Sequence, residues 1–288
     1  MRPGKSCTGF AAATVTIALS VTAAAQGAPG SRAPERAGAT YPGYAFGSVA
    51  GEVVLSAFAV LSNTATLWPR QTSQWGPDAP HPYDRSADRW SDATGGYGGV
   101  AIGFGTGYFF ESAHLADAGV THGAGIYALH QTIVEAQATL FTRGVVELVK
   151  RVTARCRPRF FVNGACSEIP VGGARSTSND AFPSGHTAPM GAMAGSRLVL
   201  AGLTSGPAGY RWASFGLAEA LALTTGILRV EAGAHSWSDV VSGFLIGHAI
   251  GVLVAFAHPV QVVDRGDWAS GFGAPAEGGF ALRYGGEL

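Results

Sequence analysis

The chain has 288 residues, enough for one large domain or two small ones, with 47% hydrophobic and only 13% charged residues. This composition excludes a chain that is disordered throughout. The formal net charge is zero, so no overall field draws the protein to nucleic acid or to an acidic membrane. Any recognition of an anion must therefore depend on a local cluster of basic residues.

The N-terminus has the pattern of an export signal. Arg2 and Lys5 precede an apolar stretch over residues 10–25, which ends in three alanines. We predict a cleaved signal peptide over residues 1–25, with an uncleaved membrane anchor as the alternative. The mature chain would then be exported.

Residues 26–45 are rich in Gly, Ala and Pro, and we predict a linker there. Six segments that follow have the apolar content and length of helices, at about 46–67, 97–116, 124–155, 186–203, 210–228 and 238–257. A polar, Pro-rich loop is expected between the first two. A Gly-rich tail covers residues 259–288, where alternating Phe280, Leu282 and Tyr284 suggest one short strand. The predicted fold class is all-α, a six-helix bundle over residues 46–258.

The sixth segment is apolar enough to cross a membrane, whereas the others contain charged residues. A charge at the centre of a bilayer costs about 2.5 to 3.5 kcal/mol on the insertion scale. Segments of this kind also fit a water-soluble bundle. The charged residues in question are Glu52, Glu135, Arg143, Arg197 and Glu219.

Removal of the signal peptide would leave two cysteines, Cys156 and Cys166. In an oxidising compartment their spacing permits one disulfide but does not require it. No Cys-x-x-Cys or Cys/His spacing typical of a structural zinc site occurs in the sequence, and we predict no metal.

The first of three short patterns is Lys150 followed, after six residues, by Arg157-Pro158. Alone, Lys150 is typical of a solvated lysine that offsets a helix dipole. It belongs, however, to a basic cluster in a neutral protein, and guanidinium and ammonium groups match phosphate oxygens. The cluster therefore indicates an anion site. A nucleic-acid surface is disfavoured, because no aromatic residues interleave with the basic ones. The other members of the cluster are Arg151, Arg155 and Arg159.

The second pattern is Pro183-Ser184-Gly185-His186, directly before an apolar run. Ser184 is expected to cap a helix, and Gly185 to let the backbone approach a ligand. Free N–H groups at a helix start bind oxyanions, so His186 would stand beside a bound phosphate. In isolation, an ordinary helix cap with a surface histidine explains the pattern equally well.

The third pattern is Arg229, five residues, His235, three residues and Asp239. On a helix, His235 and Asp239 would share one face, so that Asp239 holds one imidazole nitrogen and leaves the other free to attack. Ser236 with Asp239 also resembles a helix capping box. Arg229 alone is typical of a charge at a helix C-terminus.

Together and in this order, the three patterns resemble the tripartite signature of the type-2 phosphatidic acid phosphatase and vanadium haloperoxidase superfamily. The resemblance covers about residues 46–257 and implies a core of six helices. It places the first motif at the end of the third helix, the second at the start of the fourth and the third before the sixth. One departure is Leu228, which stands where the family usually has a serine and would remove one hydroxyl contact to phosphate.

The resemblance implies a metal-independent phosphatase that works through a phosphohistidine intermediate. His235 would be the nucleophile, Asp239 would orient it, and His186 would protonate the leaving oxygen and then help to activate water. We expect no cofactor and a phosphomonoester or pyrophosphate substrate, such as phosphatidic acid, an isoprenoid pyrophosphate, phosphorylated lipid A or a small soluble ester. The residues expected to hold the phosphate are Lys150, Arg157, Ser184, Gly185 and Arg229.

Two other functions fit the same patterns. A vanadium-dependent haloperoxidase would use vanadate, otherwise an inhibitor, as its cofactor, and a catalytically silent envelope protein would bind an anion without turnover. A cleaved signal combined with six membrane crossings would place the site inside the cell. We therefore predict a periplasmic bundle, soluble or in contact with the membrane surface, with an integral membrane protein as the alternative and with no nucleic-acid partner.

Overall fold

A computed structural model describes residues 39–67, 75–78, 81–118, 120, 124–163, 165–166, 179–203 and 209–263. The predicted signal peptide, most of the predicted linker and the strand predicted near Phe280 lie outside the described residues.

The described chain is mostly helical, which confirms the all-α prediction. All six predicted helices are present, and one further helix precedes the second of them. The α-helices are α1 Val49–Leu61, α2 Arg85–Gly95, α3 Tyr97–Asp117, α4 Ala124–Thr153, α5 Thr187–Leu203, α6 Gly209–Glu231 and α7 Trp237–Phe256. A 3-10 helix over Ser62–Leu67 follows α1 directly.

Helix α2 is the one that the sequence did not predict. It lies in the stretch expected to be a polar loop, because Ala87, Trp90 and Ala93 are the only apolar side chains among its eleven residues. Its start is fixed by Asp84, whose carboxylate accepts hydrogen bonds from the backbone N–H groups of Ser86 and Ala87 at 2.7 and 3.1 Å. The helix buries small residues, among them Ser91 and Gly95.

Helices α5 and α7 form the centre of the bundle and pack backbone to backbone. A methyl group added at Gly247 would lie 1.9 Å from the carbonyl oxygen of Ala188, and one added at Gly251 would lie 2.0 Å from that of Ala192. Only glycine allows so close an approach. The contact brings the start of α5 beside the start of α7, where the Ser184 N–H donates to the Asp239 carbonyl at 2.9 Å.

Two short antiparallel strand pairs accompany the helices. β1 (Ala39–Pro42) pairs with β4 (Val260–Val263), with Ala39 opposite Val263, and so joins the segment before α1 to the segment after α7. β2 (Phe161–Val162) pairs with β3 (Ala165–Cys166). Cys166 is disulfide-bonded to Cys156, the bridge that the sequence permitted without requiring it.

Three described stretches are long and apolar enough to cross a membrane by length and composition: Val49–Leu67, Gly209–Glu231 and Trp237–Phe256. On α4 and α5, Glu135 and Arg197 form a buried two-pronged ion pair, with Arg197 Nε 2.8 Å and Nη2 3.0 Å from the carboxylate oxygens. These two charges face the interior of the bundle, so they do not weigh against contact of the helices with lipid. The three apolar stretches support membrane association.

Candidate active site

The three sequence patterns meet where several helices begin and end. Lys150 lies in the last turn of α4, and Arg229 lies in the last turn of α6. His186 directly precedes α5, and Asp239 lies in the first turn of α7. Helix termini expose backbone N–H and C=O groups and carry partial charges, so this end of the bundle is suited to bind an anion.

His235 is buried in the turn between α6 and α7, with 1% of its surface exposed. Its Nδ1 lies 2.7 Å from the backbone carbonyl oxygen of Ala181. Because a carbonyl only accepts hydrogen bonds, Nδ1 carries the proton and Nε2 carries the free lone pair. The ring is therefore held in the tautomer that a nucleophile attacking through Nε2 requires.

Asp239 does not hold His235 by a hydrogen bond, contrary to the sequence prediction. Its Oδ2 lies 3.8 Å from His235 Nδ1, too far for a hydrogen bond. Oδ2 instead accepts from the Ser236 N–H at 2.7 Å, which completes the capping box at the start of α7. Asp239 thus influences His235 as a nearby buried charge, and Ala181 orients the ring.

Arg155, expected in the phosphate-binding cluster, forms ion pairs with carboxylates. Its Nη1 donates to Asp239 Oδ1 at 2.7 Å, and Nη2 pairs with Asp78. The guanidinium also lies 4.6 Å from the centroid of the Trp75 ring. Sequence reasoning assigned no role to Asp78 or Trp75, which lie in the Pro-rich stretch. The basic cluster therefore divides into residues that support the site and residues that face it.

Three buried cations surround the histidine. Arg157 and Arg229 are 7% and 3% exposed. Arg157 donates through Nε to Asp180, but its buried Nη1 has no hydrogen-bond partner in the described part of the chain, and the same holds for Arg229 Nε. Buried donors of this kind normally have partners, so they indicate a place for an anion. Lys150 contributes a third charge, 3.4 Å from Glu147.

The second pattern forms the entrance to α5 as predicted. Ser184 is fully buried, and its hydroxyl lies 3.0 Å from the Thr187 hydroxyl and 3.4 Å from the Thr187 N–H, as in a helix cap. A methyl group added at Gly185 would lie 2.8 Å from Lys150 Nζ, so the glycine lets the lysine reach the turn. The structure thus shows the Ser184 hydroxyl bonded within the cap, and its predicted contact with phosphate stays a prediction.

Burial and positive charge act together on the two histidines. Burial, then the charges of Arg157 and Arg229, hold the pKa of His235 well below its usual value of 6.5. Burial and the charge of Arg229 lower the pKa of His186 to about 4. Both rings are therefore neutral at pH 7 without a bound anion, and a phosphate would make protonation easier.

Residues 132–261 match the sequence model of the PAP2 superfamily. The match supports recognition of this part of the chain as PAP2-like. The matched segment contains all three patterns, from Lys150 to Asp239. A search of curated proteins and a search of solved structures found no match. This match supports an activity of the phosphatase type or a related one.

The candidate site receives a further contribution from α2, which lies before the matched segment. Arg229 Nη1 donates to Asp88 at 3.0 Å, to Ser91 at 3.0 Å and to Asp92 at 3.2 Å. Asp92 Oδ1 also lies 3.0 Å from His186 Nε2. The sequence signal for these residues was an acidic pair four apart, which becomes informative only once the segment is known to be helical.

No group of three or more His, Cys, Asp or Glu side chains able to hold a metal ion occurs within the described ranges. That the chemistry needs no metal stays a prediction.

Proposed function

We propose that this protein is a phosphatase that hydrolyses a phosphomonoester or pyrophosphate through a phosphohistidine intermediate, without a metal or other cofactor. The observation that carries the proposal is the free Nε2 of a buried His235, fixed by the Ala181 carbonyl and surrounded by Lys150, Arg157 and Arg229. A neutral imidazole among cations can act as a nucleophile towards an anionic electrophile that the cations hold.

In the proposed first step, His235 Nε2 forms a bond to phosphorus while the bond to the leaving oxygen breaks. His186 gives its proton to that oxygen. The imidazole of His235 becomes positively charged, and the buried Asp239 carboxylate, 3.8 Å from Nδ1, stabilises this charge electrostatically. The Ala181 carbonyl keeps the ring in place.

In the second step, a water molecule attacks phosphorus and the bond to Nε2 breaks, which restores neutral His235. His186, now neutral, accepts a proton from that water. Throughout, the phosphoryl oxygens face the unpartnered Nη1 of Arg157 and Nε of Arg229, together with Lys150. Fixed donors of this kind stabilise the charge of the transition state without having to reorganise.

We propose that the substrate is a phosphorylated lipid or a small phosphoester, met outside the cytoplasm. The three apolar helical stretches and the disulfide support an exported, membrane-associated protein. We expect the cations around His235 to recognise the phosphate, and a substrate panel identifies the group attached to it.

The test compares the wild type with His235→Ala, with His248→Ala as the matched control. His248 lies on α7 nine residues after Asp239, about 13 Å further along the helix, and takes no part in the site. Phosphate release is measured in excess EDTA from a nitrophenyl phosphate, phosphatidic acid and an isoprenoid pyrophosphate. Enzyme quenched in alkaline detergent is then examined for a phosphoryl group that is stable to alkali and labile to acid.

We expect release by the wild type and by His248→Ala, and none by His235→Ala. Activity of His235→Ala near the wild-type rate would refute the assignment of the nucleophile. A wild type that releases no phosphate but binds vanadate and oxidises halide with peroxide would replace the proposal with the haloperoxidase function.

A further inference from the structure

Helix α2 brings one carboxylate into contact with two parts of the site at once. Asp92 Oδ1 lies 3.0 Å from His186 Nε2 and 3.2 Å from Arg229 Nη1. The side chain of Asp92 is 62% exposed and that of His186 is 30% exposed, so this side of the site opens to solvent. A leaving group can depart there, whereas His235 on the other side is closed off.

The surroundings of His186 disfavour the protonated imidazole that a general acid requires. The charged and titratable groups that act on it are Arg229 from α6, Arg157 after α4, His235 before α7 and Asp92 from α2. The arginines and burial disfavour a positive imidazole, and Asp92 supplies the negative charge that opposes them. Nε2 donates to this carboxylate, so Nδ1 is the ring nitrogen left to exchange a proton with the substrate.

We propose that Asp92 is a positioning residue for the leaving-group acid: it orients His186 through Nε2 and favours the protonated imidazole once a phosphate is bound, so that Nδ1 can give its proton to the departing oxygen. This inference rests on the proposed phosphatase function. The proton on Nδ1 moves to the leaving oxygen as the phosphorus–oxygen bond breaks, the Nε2 proton stays on the ring, and Asp92 remains a carboxylate.

The same helix provides a matched control in Asp88, one turn before Asp92. Asp88 accepts from Arg229 at 3.0 Å and from the Tyr83 hydroxyl at 3.3 Å, and its other charged neighbour is Arg159. Among the described residues, Asp88 makes no hydrogen bond or ion pair with His186, whereas both carboxylates contact Arg229. Asp88→Asn therefore weakens the support of Arg229 without removing the carboxylate on the histidine.

The experiment measures kcat/KM for two substrates across pH with the wild type, Asp92→Asn and Asp88→Asn. A nitrophenyl phosphate releases a stable anion that needs no proton, whereas an alkyl phosphate releases an alkoxide that must be protonated. We expect Asp92→Asn to lower kcat/KM for the alkyl ester about 10- to 100-fold and to leave the nitrophenyl ester within about threefold. For Asp92→Asn, the alkaline limb of the kcat/KM–pH profile for the alkyl ester should move to lower pH, because His186 loses its proton more readily.

Asp88→Asn is expected to lower kcat/KM for both esters by the same factor and to leave the pH of the alkaline limb unchanged. Equal losses on both esters for Asp92→Asn, or an unmoved limb, would overturn the inference while leaving the phosphatase function intact. If Asp92→Asn does not fold by circular dichroism, Asp92→Ser is measured against the same criteria. A wild type that hydrolyses neither ester would overturn both proposals together.

Discussion

The glycine contact between α5 and α7 sets the spacing of the second and third motifs, and replacing Gly247 by alanine tests this directly. The added methyl carbon would lie 1.9 Å from the Ala188 carbonyl oxygen, whereas ordinary contact begins at 3.4 Å. A backbone oxygen in a helix cannot rotate away, so the two helices must separate locally by about 1.5 Å. Overpacking of this kind costs about 1 to 3 kcal/mol of unfolding free energy.

The separation should also reach the site. Gly247 lies two turns from Asp239, and α5 begins next to His186. Misplacement of reacting groups by about 1 Å can reduce turnover about 100-fold, so we expect kcat/KM for phosphate release to fall about 10- to 100-fold. Denaturant unfolding followed by circular dichroism measures the first effect, and the phosphate-release assay measures the second.

Gly216→Ala is the matched control. Gly216 lies within helix α6, is exposed and would place its added methyl group with nothing within 4 Å. The same substitution should there raise stability by about 0.5 to 1 kcal/mol, because alanine is the better helix former, and should leave activity unchanged. If Gly247→Ala behaves like Gly216→Ala in both assays, the close approach of α5 and α7 does not position the site.

Two further predictions concern buried charges. Arg155→Ala should lower the unfolding free energy by about 3 to 5 kcal/mol, because it leaves the Asp239 carboxylate buried without its ion-pair partner. In denaturant unfolding, the double variant Arg155→Ala with Asp239→Asn should recover much of this loss. A double variant no more stable than Arg155→Ala would contradict the prediction. His186, with its pKa lowered from 6.5 to about 4, stays neutral in the fold while the unfolded chain takes up a proton, so its contribution to stability is present above pH 6.5 and lost as the pH falls to about 4. Thermal melts across this window should therefore show a flatter pH dependence for His186→Gln than for the wild type, and equal slopes would count against it.

The apolar content and length of the segments predicted α1 and α3 to α7. Helix α2 was not predicted, because its core-facing residues are small and polar, such as Ser91, and its charged residues point into the site. The β1–β4 pair joins residues more than two hundred positions apart, and nothing local in either segment indicates its partner.

The candidate site was predictable in its residue types and not in its contacts. The spacing of His235 and Asp239 suggested one helix face, but α7 begins at Trp237, so His235 lies before the helix and the rule for residues four apart does not apply. Arg155 and Arg157 are two residues apart in one basic cluster, yet one supports Asp239 and the other faces the pocket. Only the fold distinguishes them.

The bridge between Cys156 and Cys166 joins the short β2–β3 pair to the residue that separates Arg155 from Arg157. One covalent bond thus anchors both the arginine beside Asp239 and the arginine beside His235. A reducing environment would break this bond and leave both arginines on a segment without that covalent tie. The redox state of two cysteines would then affect the charge beside His235 and the support of Asp239 together.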